Sequence, residues 1–319
     1  MQEIAAIAAP RKIRSRRLED RAGWLGTLFL LPAVVYILAL VGVPFVIAIA
    51  FSVTDVTVGD TSLDFVGLDN FRRIMNVDTM PQFRRALQNS FLFTLVAQIL
   101  ILVGANILAL ILSQDFRGKW LARMLIMMPW ATPASLGVIG WKWLLDSKFA
   151  PIDWVLVQLG LLGPDTLLGP GSHMNFLGRE GLAMASVIMV QVWRLMPLAA
   201  VILLAGFSSI DQELLDQAEV DGASFWRIHF RIRLPLILPI MSIALLFSLI
   251  SIFGDIVVVF GLTTGGPVYY THVLPTWAYV LGIQAGALSQ GAATALFLFP
   301  VLLAVAILVL RNARRTEVT

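Results

Sequence analysis

The chain of 319 residues is 58% hydrophobic and only 13% charged, with a mean hydropathy of +0.85. A soluble domain carries about 25% charged residues, so a cytosolic enzyme, a disordered chain and an ordinary secreted domain are excluded, and an all-α integral membrane protein of several spans is expected. With no cysteine there are no disulfides, thiolate zinc sites or iron–sulfur clusters.

The chain opens with a basic tail over 1–23 that holds Arg11, Lys12, Arg14, Arg16, Arg17 and Arg21. The apolar run 24–52 follows. It is far longer than the 7–15 residues of a signal-peptide core, so it is read as a retained anchor, kinked at Pro32 and Pro44. A polar stretch over 53–89 contains an amphipathic segment, Asn70–Val77. Five more runs, 90–112, 121–145, 181–207, 236–262 and 288–310, each meet the length of about 20 residues needed to cross a bilayer. Their length and weak alternation favour helices over the strands of a transmembrane barrel, which alternate over about 10 residues. The loop 146–180 is irregular and rich in glycine and proline, and a short tail closes the chain at 311–319.

Basic residues give the orientation. The N-terminal tail, the loop 113–123 (Arg117, Lys119, Arg123), the loop 208–235 (Arg227, Arg231, Arg233) and the C-terminal tail (Arg311, Arg314, Arg315) hold 15 of the 23 lysines and arginines. The positive-inside rule places these segments, and so both termini, in the cytoplasm. The net charge of +3 is thus an orientation signal and not a sign of nucleic-acid binding.

The loop 208–235 is the most informative segment. Ser209 with Gln212 fits a capping box, Ile210, Leu214 and Ala218 stack beside Leu215, and Gly222 ends the helix. A second short helix from about Ser224 is expected to end before Pro235. The result is a helix–glycine–helix elbow with one acidic and one apolar surface, suited either to docking or to simple solvation.

Asp216-Gln217-Ala218, then Gly222, then nine residues, then Ile232-Arg233-Leu234-Pro235, resembles the EAA loop of ABC importer permease subunits at every anchor of its spacing. Asp221-Gly222-Ala223 matches the form common in carbohydrate importers. The departure is Asp-Gln-Ala for Glu-Ala-Ala. Three further segments resemble the maltose-type, first-permease branch: Phe65–Phe71, Val192-Trp193-Arg194 followed by Pro197, and Leu262-Thr-Thr-Gly265-Gly266-Pro267 after the fifth span.

The resemblance implies a six-transmembrane-helix permease of type I importer fold, with a permease domain over 24–310 that carries a sugar or related polyol; a glycerol-phosphate-type solute is the alternative, since Arg194 could answer a phosphate. It implies a homologous second permease, two ATP-binding subunits and an external substrate-binding protein, all within membrane lipid. ATP and Mg would be bound by the partner ATPases, and no cofactor or metal by this chain, which lacks the Gly-x-x-x-x-Gly-Lys-Ser/Thr phosphate loop. It also implies that the elbow couples to an ATPase through Asp216, Ala218, Glu219, Asp221, Gly222, Ile232, Leu234 and Pro235. Glu219 and Asp221 are equally compatible with solvation.

Polar groups inside spans are expensive and usually face a bundle interior. Ser248, Ser251 and Asp255 fall on one face of the fifth span, Gln191 and Arg194 on one face of the fourth with Trp193 adjacent, and Ser90, Thr94 and Gln98 on one face of the second. Gln191, Trp193, Arg194, Ser248, Ser251 and Asp255 form the candidate solute path. Asp255 contacts either solute or Arg194, and the serines either line the path or serve helix packing. Two rival readings are an ion-driven carrier or channel, and an intramembrane enzyme. The first expects inverted repeats and paired intramembrane ionisable groups. The second expects paired acids or a His-Glu-x-x-His motif, and neither is present.

Overall fold

The computed structural model describes residues 28–316 except 61, 79, 147, 149 and 172. The expected basic tail over 1–23, and residues 317–319 of the C-terminal tail, lie outside the described residues. Among the described residues the fold is helical, with two isolated antiparallel bridges, Thr54 with Phe65 and Thr57 with Asp60, and no named strand.

The described residues up to Ala50 form one unit and those from Phe51 another. The first contains most of α1, Leu28–Ser52, a continuous apolar helix of 25 residues with a π turn at Leu38–Gly42. Pro44 follows that widened turn, so the helix runs past the proline without breaking.

The second unit is built on two long helices, α3 (Pro81–Ser113) and α7 (Glu180–Ser208), which pack along one another. Phe93, Ala97, Ile101, Ala105, Ala109 and Leu112 recur at intervals of three or four, so they share one face of α3, and all are buried. Three alanines in that stripe let the backbones approach closely, which replaces the hydrophobic drive that lipid does not supply. Gly104 serves the same contact, since a Cβ there would overlap Met196 Sδ.

The third span is not one helix. α4 (Lys119–Ala131) and α5 (Ala134–Leu144) meet at 94° across Thr132-Pro133. Proline disfavours helical geometry in the residue before it, and Thr132 is extended at ψ 132. The fifth span is broken too: α10 (Leu238–Phe253) ends at Gly254, and a short helix α11 (Val257–Thr263) resumes the path. α11 packs on α5, and a Cβ on Gly261 would meet Val138 Cγ1 at 2.5 Å. The last span also has a break, between α13 (Leu288–Leu296) and α14 (Phe299–Thr316). By length and composition four helices among the described residues can cross a membrane, Leu288–Val309 among them, or six when each of the bent pairs 119–144 and 225–253 counts as one span.

Around the polar end of these helices the chain is clasped by hydrogen bonds. Asn70, on the short helix α2 (Asp69–Met75), donates to Ser52 O and Thr54 O, and Val56 exchanges bonds with Ser289. α12 (Leu274–Tyr279) packs on α13, where Gly282 and Gly291 cross backbone to backbone.

Candidate functional site

Two places gather the residues that the sequence singles out. The first is the elbow. α8 (Gln212–Val220) starts one residue after Asp211, whose carboxylate accepts from Glu213 N–H at 3.0 Å. The cap is therefore Asp211 and not the expected Ser209. α7 runs through Ser208, so Ser209 belongs to that helix's end and its hydroxyl donates to Gly206 O at 2.8 Å.

Leu215 is the residue that anchors α8, at 4% exposure, whereas Leu214 is 41% exposed. Asp216, Glu219, Asp221 and Gly222 are exposed and Ala218 is half-buried. Gln212 Nε2 donates to Asp216 Oδ1 at 2.9 Å and steadies the carboxylate on the outer face. Gly222 takes φ +76, a left-handed conformation that glycine adopts without strain. Ala223 N–H closes the helix end on Ala218 O.

The next helix, α9 (Phe225–Leu236), does not stop before Pro235 as expected. A π turn at His229–Arg233 precedes the proline, and the chain turns by 74° only at Ile237, where α10 begins. Ile232 and Leu234 are half-buried and Pro235 is exposed. A polar cleft at the base of the elbow is lined by Ser113, Asp115, Ser208, Glu219 and Arg233.

The second place lies where α4, α7 and α10 meet. The breaks in the third and fifth spans decide its geometry. Asp255 does not continue the Ser248–Ser251 face, because α10 has already ended. It sits in the break, with 3% of its side chain exposed, and both oxygens are engaged: Oδ1 accepts from Val258 N–H at 2.7 Å and Oδ2 from Arg194 Nη2 at 2.8 Å. Of the two readings left open by the sequence, the internal ion pair is the one formed. Asp255 thus caps α11 and clamps it to α7.

Arg194 faces a cavity of about 280 Å³ that is also lined by Trp130, Thr132, Phe247 and Ser251. Of the expected path residues, Arg194 and Ser251 meet here. Ser248 does not: it is buried and exchanges hydrogen bonds with Gln98 at 2.8 and 3.0 Å, tying α10 to α3. Ser90 likewise holds the chain, accepting from Leu274 N–H. Trp193 packs edge-to-face on Trp141 at 5.5 Å and is outside the cavity lining. Gln191 is fully buried and its amide makes no direct hydrogen bond among the described residues. Trp130 and Thr132 escaped the sequence reading, although Thr132-Pro133 is itself a break signal.

Gly265, Gly266 and Pro267 form a tight turn between α11 and α12, with a cis peptide bond at Gly266–Pro267. Thr271 Oγ1 donates to Gly266 O at 2.7 Å and holds the turn shut. Gly265, at φ +87, lies against the His272 ring, which a Cβ would overlap. His272 is 2% exposed, and burial lowers its pKa from 6.5 to about 4, so it is neutral at physiological pH. No cluster of histidine and acidic residues suited to a metal is present among the described residues.

Comparison with known proteins gives consistent relatives. The sequence profile described as "Binding-protein-dependent transport system inner membrane component" matches residues 101–318. A probable ABC transporter permease of Brucella suis is 30% identical over 233 residues, covering 72% of this chain and 78% of the relative. The diacetylchitobiose uptake system permease DasB of Streptomyces coelicolor is 28% identical, over 94% of this chain and 90% of its own. The trehalose/maltose transport system permease MalF of Thermococcus litoralis is 28% identical, over 79% of this chain and 81% of its own. Among solved structures, a chain of a bacterial ABC transporter that imports the acidic polysaccharide alginate superposes with a TM-score of 0.75 at 21% identity, covering 94% of this chain and 99% of that one.

Proposed function

The chain belongs to the binding-protein-dependent transport system inner membrane components and is a permease of an ABC importer, and from that premise we propose that it forms half of the translocation path for a sugar or related polyol. Two of its relatives belong to uptake systems named for diacetylchitobiose and for trehalose and maltose, which supports the solute class. Family membership sets aside the ion-driven carrier and the channel. A second, homologous permease would supply the other half. Two ATPase subunits would bind ATP and Mg and do the hydrolysis, and an external binding protein would deliver the solute. Both termini would be cytoplasmic.

The observation that carries the coupling role is the elbow. A nine-residue helix, capped by Asp211 and terminated at a left-handed Gly222, presents Asp216 on its exposed outer face while Leu215 anchors it from beneath. That arrangement transmits a push from a bound subunit into α7 and α9. Asp216 would face a basic residue of the ATPase.

The test reconstitutes the four membrane and ATPase subunits with the binding protein in proteoliposomes and measures ATP-driven uptake of radiolabelled diacetylchitobiose, trehalose and maltose. Asp216→Lys sets like charges face to face, which costs several kcal/mol at a docked contact. ATPase co-purification and solute-stimulated hydrolysis should both fall. Wild-type uptake by the Asp216→Lys complex would refute docking through this helix, and uptake that needs no ATP would refute the importer reading.

A further inference from the structure

We propose that Arg194 is the residue that reads the solute in the cavity between α4, α7 and α10, and that the solute is an uncharged polyhydroxy compound and not an acidic sugar; this rests on the sugar-permease reading above. Three observations carry it.

The first is charge. Among the described residues that line the cavity Arg194 is the charged one, and Asp255 pairs with it at 2.8 Å. An acidic solute would therefore meet a paired cation and no net positive charge.

The second is the hydrogen-bonding inventory. Asp255 takes one N–H of Nη2, and Nε–H is buried away from the cavity; of the five guanidinium donors the remaining terminal N–H groups belong to a side chain that is one-fifth exposed, so the fork retains donors for a solute. The two hydroxyls beside it are the reverse. Thr132 Oγ1 donates to Met128 O and Ser251 Oγ to Phe247 O, each at 2.8 Å. Their protons are spent on their own helices, and only acceptor lone pairs face the cavity. A sugar hydroxyl both donates and accepts, so it satisfies Arg194 on one side and Thr132 or Ser251 on the other. A carboxylate or sulfonate accepts only: it can take the donors of Arg194 but has no proton to give Thr132 or Ser251.

The third is shape. Trp130 and Phe247 add aromatic surface to the same cavity, which suits the C–H faces of a pyranose ring. Asp255 is a positioning residue: with both oxygens engaged it does not touch the solute, and it fixes the direction of the fork.

The experiment uses the complete importer in proteoliposomes. Uptake of radiolabelled maltose, trehalose and diacetylchitobiose is compared with that of glucuronic acid and of a glucuronate-containing disaccharide. The wild-type complex should carry at least one neutral sugar and favour it over the acidic ones by about ten-fold or more. Arg194→Gln with Asp255→Asn removes the fork without leaving a lone buried charge. It should raise the half-saturating concentration of the neutral sugar at least ten-fold while the unfolding temperature stays within about 10 °C of wild type and the complex still assembles with its ATPases. Thr132→Val, which leaves the ion pair alone, should raise it by about three-fold or more. Preference for the acidic sugars overturns the solute class. Unchanged half-saturation in both variants overturns the role of Arg194. An assembled complex that hydrolyses ATP yet carries neither class overturns this inference, whereas a chain that fails to assemble with an ATPase overturns the importer reading beneath it.

Discussion

Replacement of Arg194 by glutamine leaves the Asp255 carboxylate, whose side chain is 3% exposed, without its counter-charge. Breaking a buried ion pair from one side costs about 3–5 kcal/mol, because the abandoned charge stays desolvated. Asp255→Asn is milder. The amide oxygen still accepts from Val258 N–H, and Arg194, one-fifth exposed, keeps partial access to the cavity; a loss of about 1–3 kcal/mol is expected. The double variant removes both charges and should cost no more than Asp255→Asn alone. The two single losses would then exceed the double loss by about 3 kcal/mol or more. Equilibrium unfolding of the purified chain in detergent, for wild type, both single variants and the double, gives that coupling directly. If the single losses add to the double loss within about 0.5 kcal/mol, the pair is not coupled, and the clamp between α7 and α11 is refuted.

Gly291→Ala puts a Cβ 2.5 Å from Gly282 Cα and 2.9 Å from Ala278 O, backbone atoms that cannot rotate away; overpacking costs about 1–3 kcal/mol, and an unchanged unfolding temperature would refute the close crossing of α13 with the π turn Val280–Gln284 that follows α12. His272, held near pKa 4 by burial, binds no proton between about pH 6.5 and 4 while the unfolded chain does. Stability should therefore fall as pH falls through that window, by at most about 3 kcal/mol, and His272→Gln should flatten the slope; equal slopes between pH 7.5 and 4.5 would count against a neutral buried ring. Reporter fusions after Thr319 and within 263–286 should report opposite sides of the membrane, with the C-terminal reporter cytoplasmic; an external C-terminus would refute the orientation.

The sequence revealed the elbow well and the solute path poorly, for one physical reason. The elbow is local: Gly222 and Ala223 set their own turn geometry, so spacing along the chain predicts where its helix ends, while the cap fell on Asp211, two residues past the expected Ser209. The path is assembled by the breaks. Placing Ser248, Ser251 and Asp255 on one face assumed an unbroken helix, and α10 ends at Gly254. Gly254-Asp255 is a C-terminal signal followed by a capping residue, so the break was readable, but long hydrophobicity masked it. The same holds for Thr132-Pro133. Ser248 shows the opposite limit: its partner Gln98 lies 150 residues away, and nothing in either local sequence names the other.

The interlock of α5 and α11 sets how far the length of this chain can drift. Each residue advances a helix by about 100°. One residue inserted between Gly254 and Ile256 would turn Gly261 away from Val138, put a side chain where the two helices touch, and unseat Val258 N–H from Asp255. A deletion at 132–133 would do the same from the other side. The glycine-rich stretch 159–171 forms turns and no helix to keep in phase, and gains or losses of residues there would leave the bundle's register intact. Insertions and deletions among functional variants of this chain should therefore collect in that loop and be absent from both breaks, including where substitutions within the breaks are tolerated.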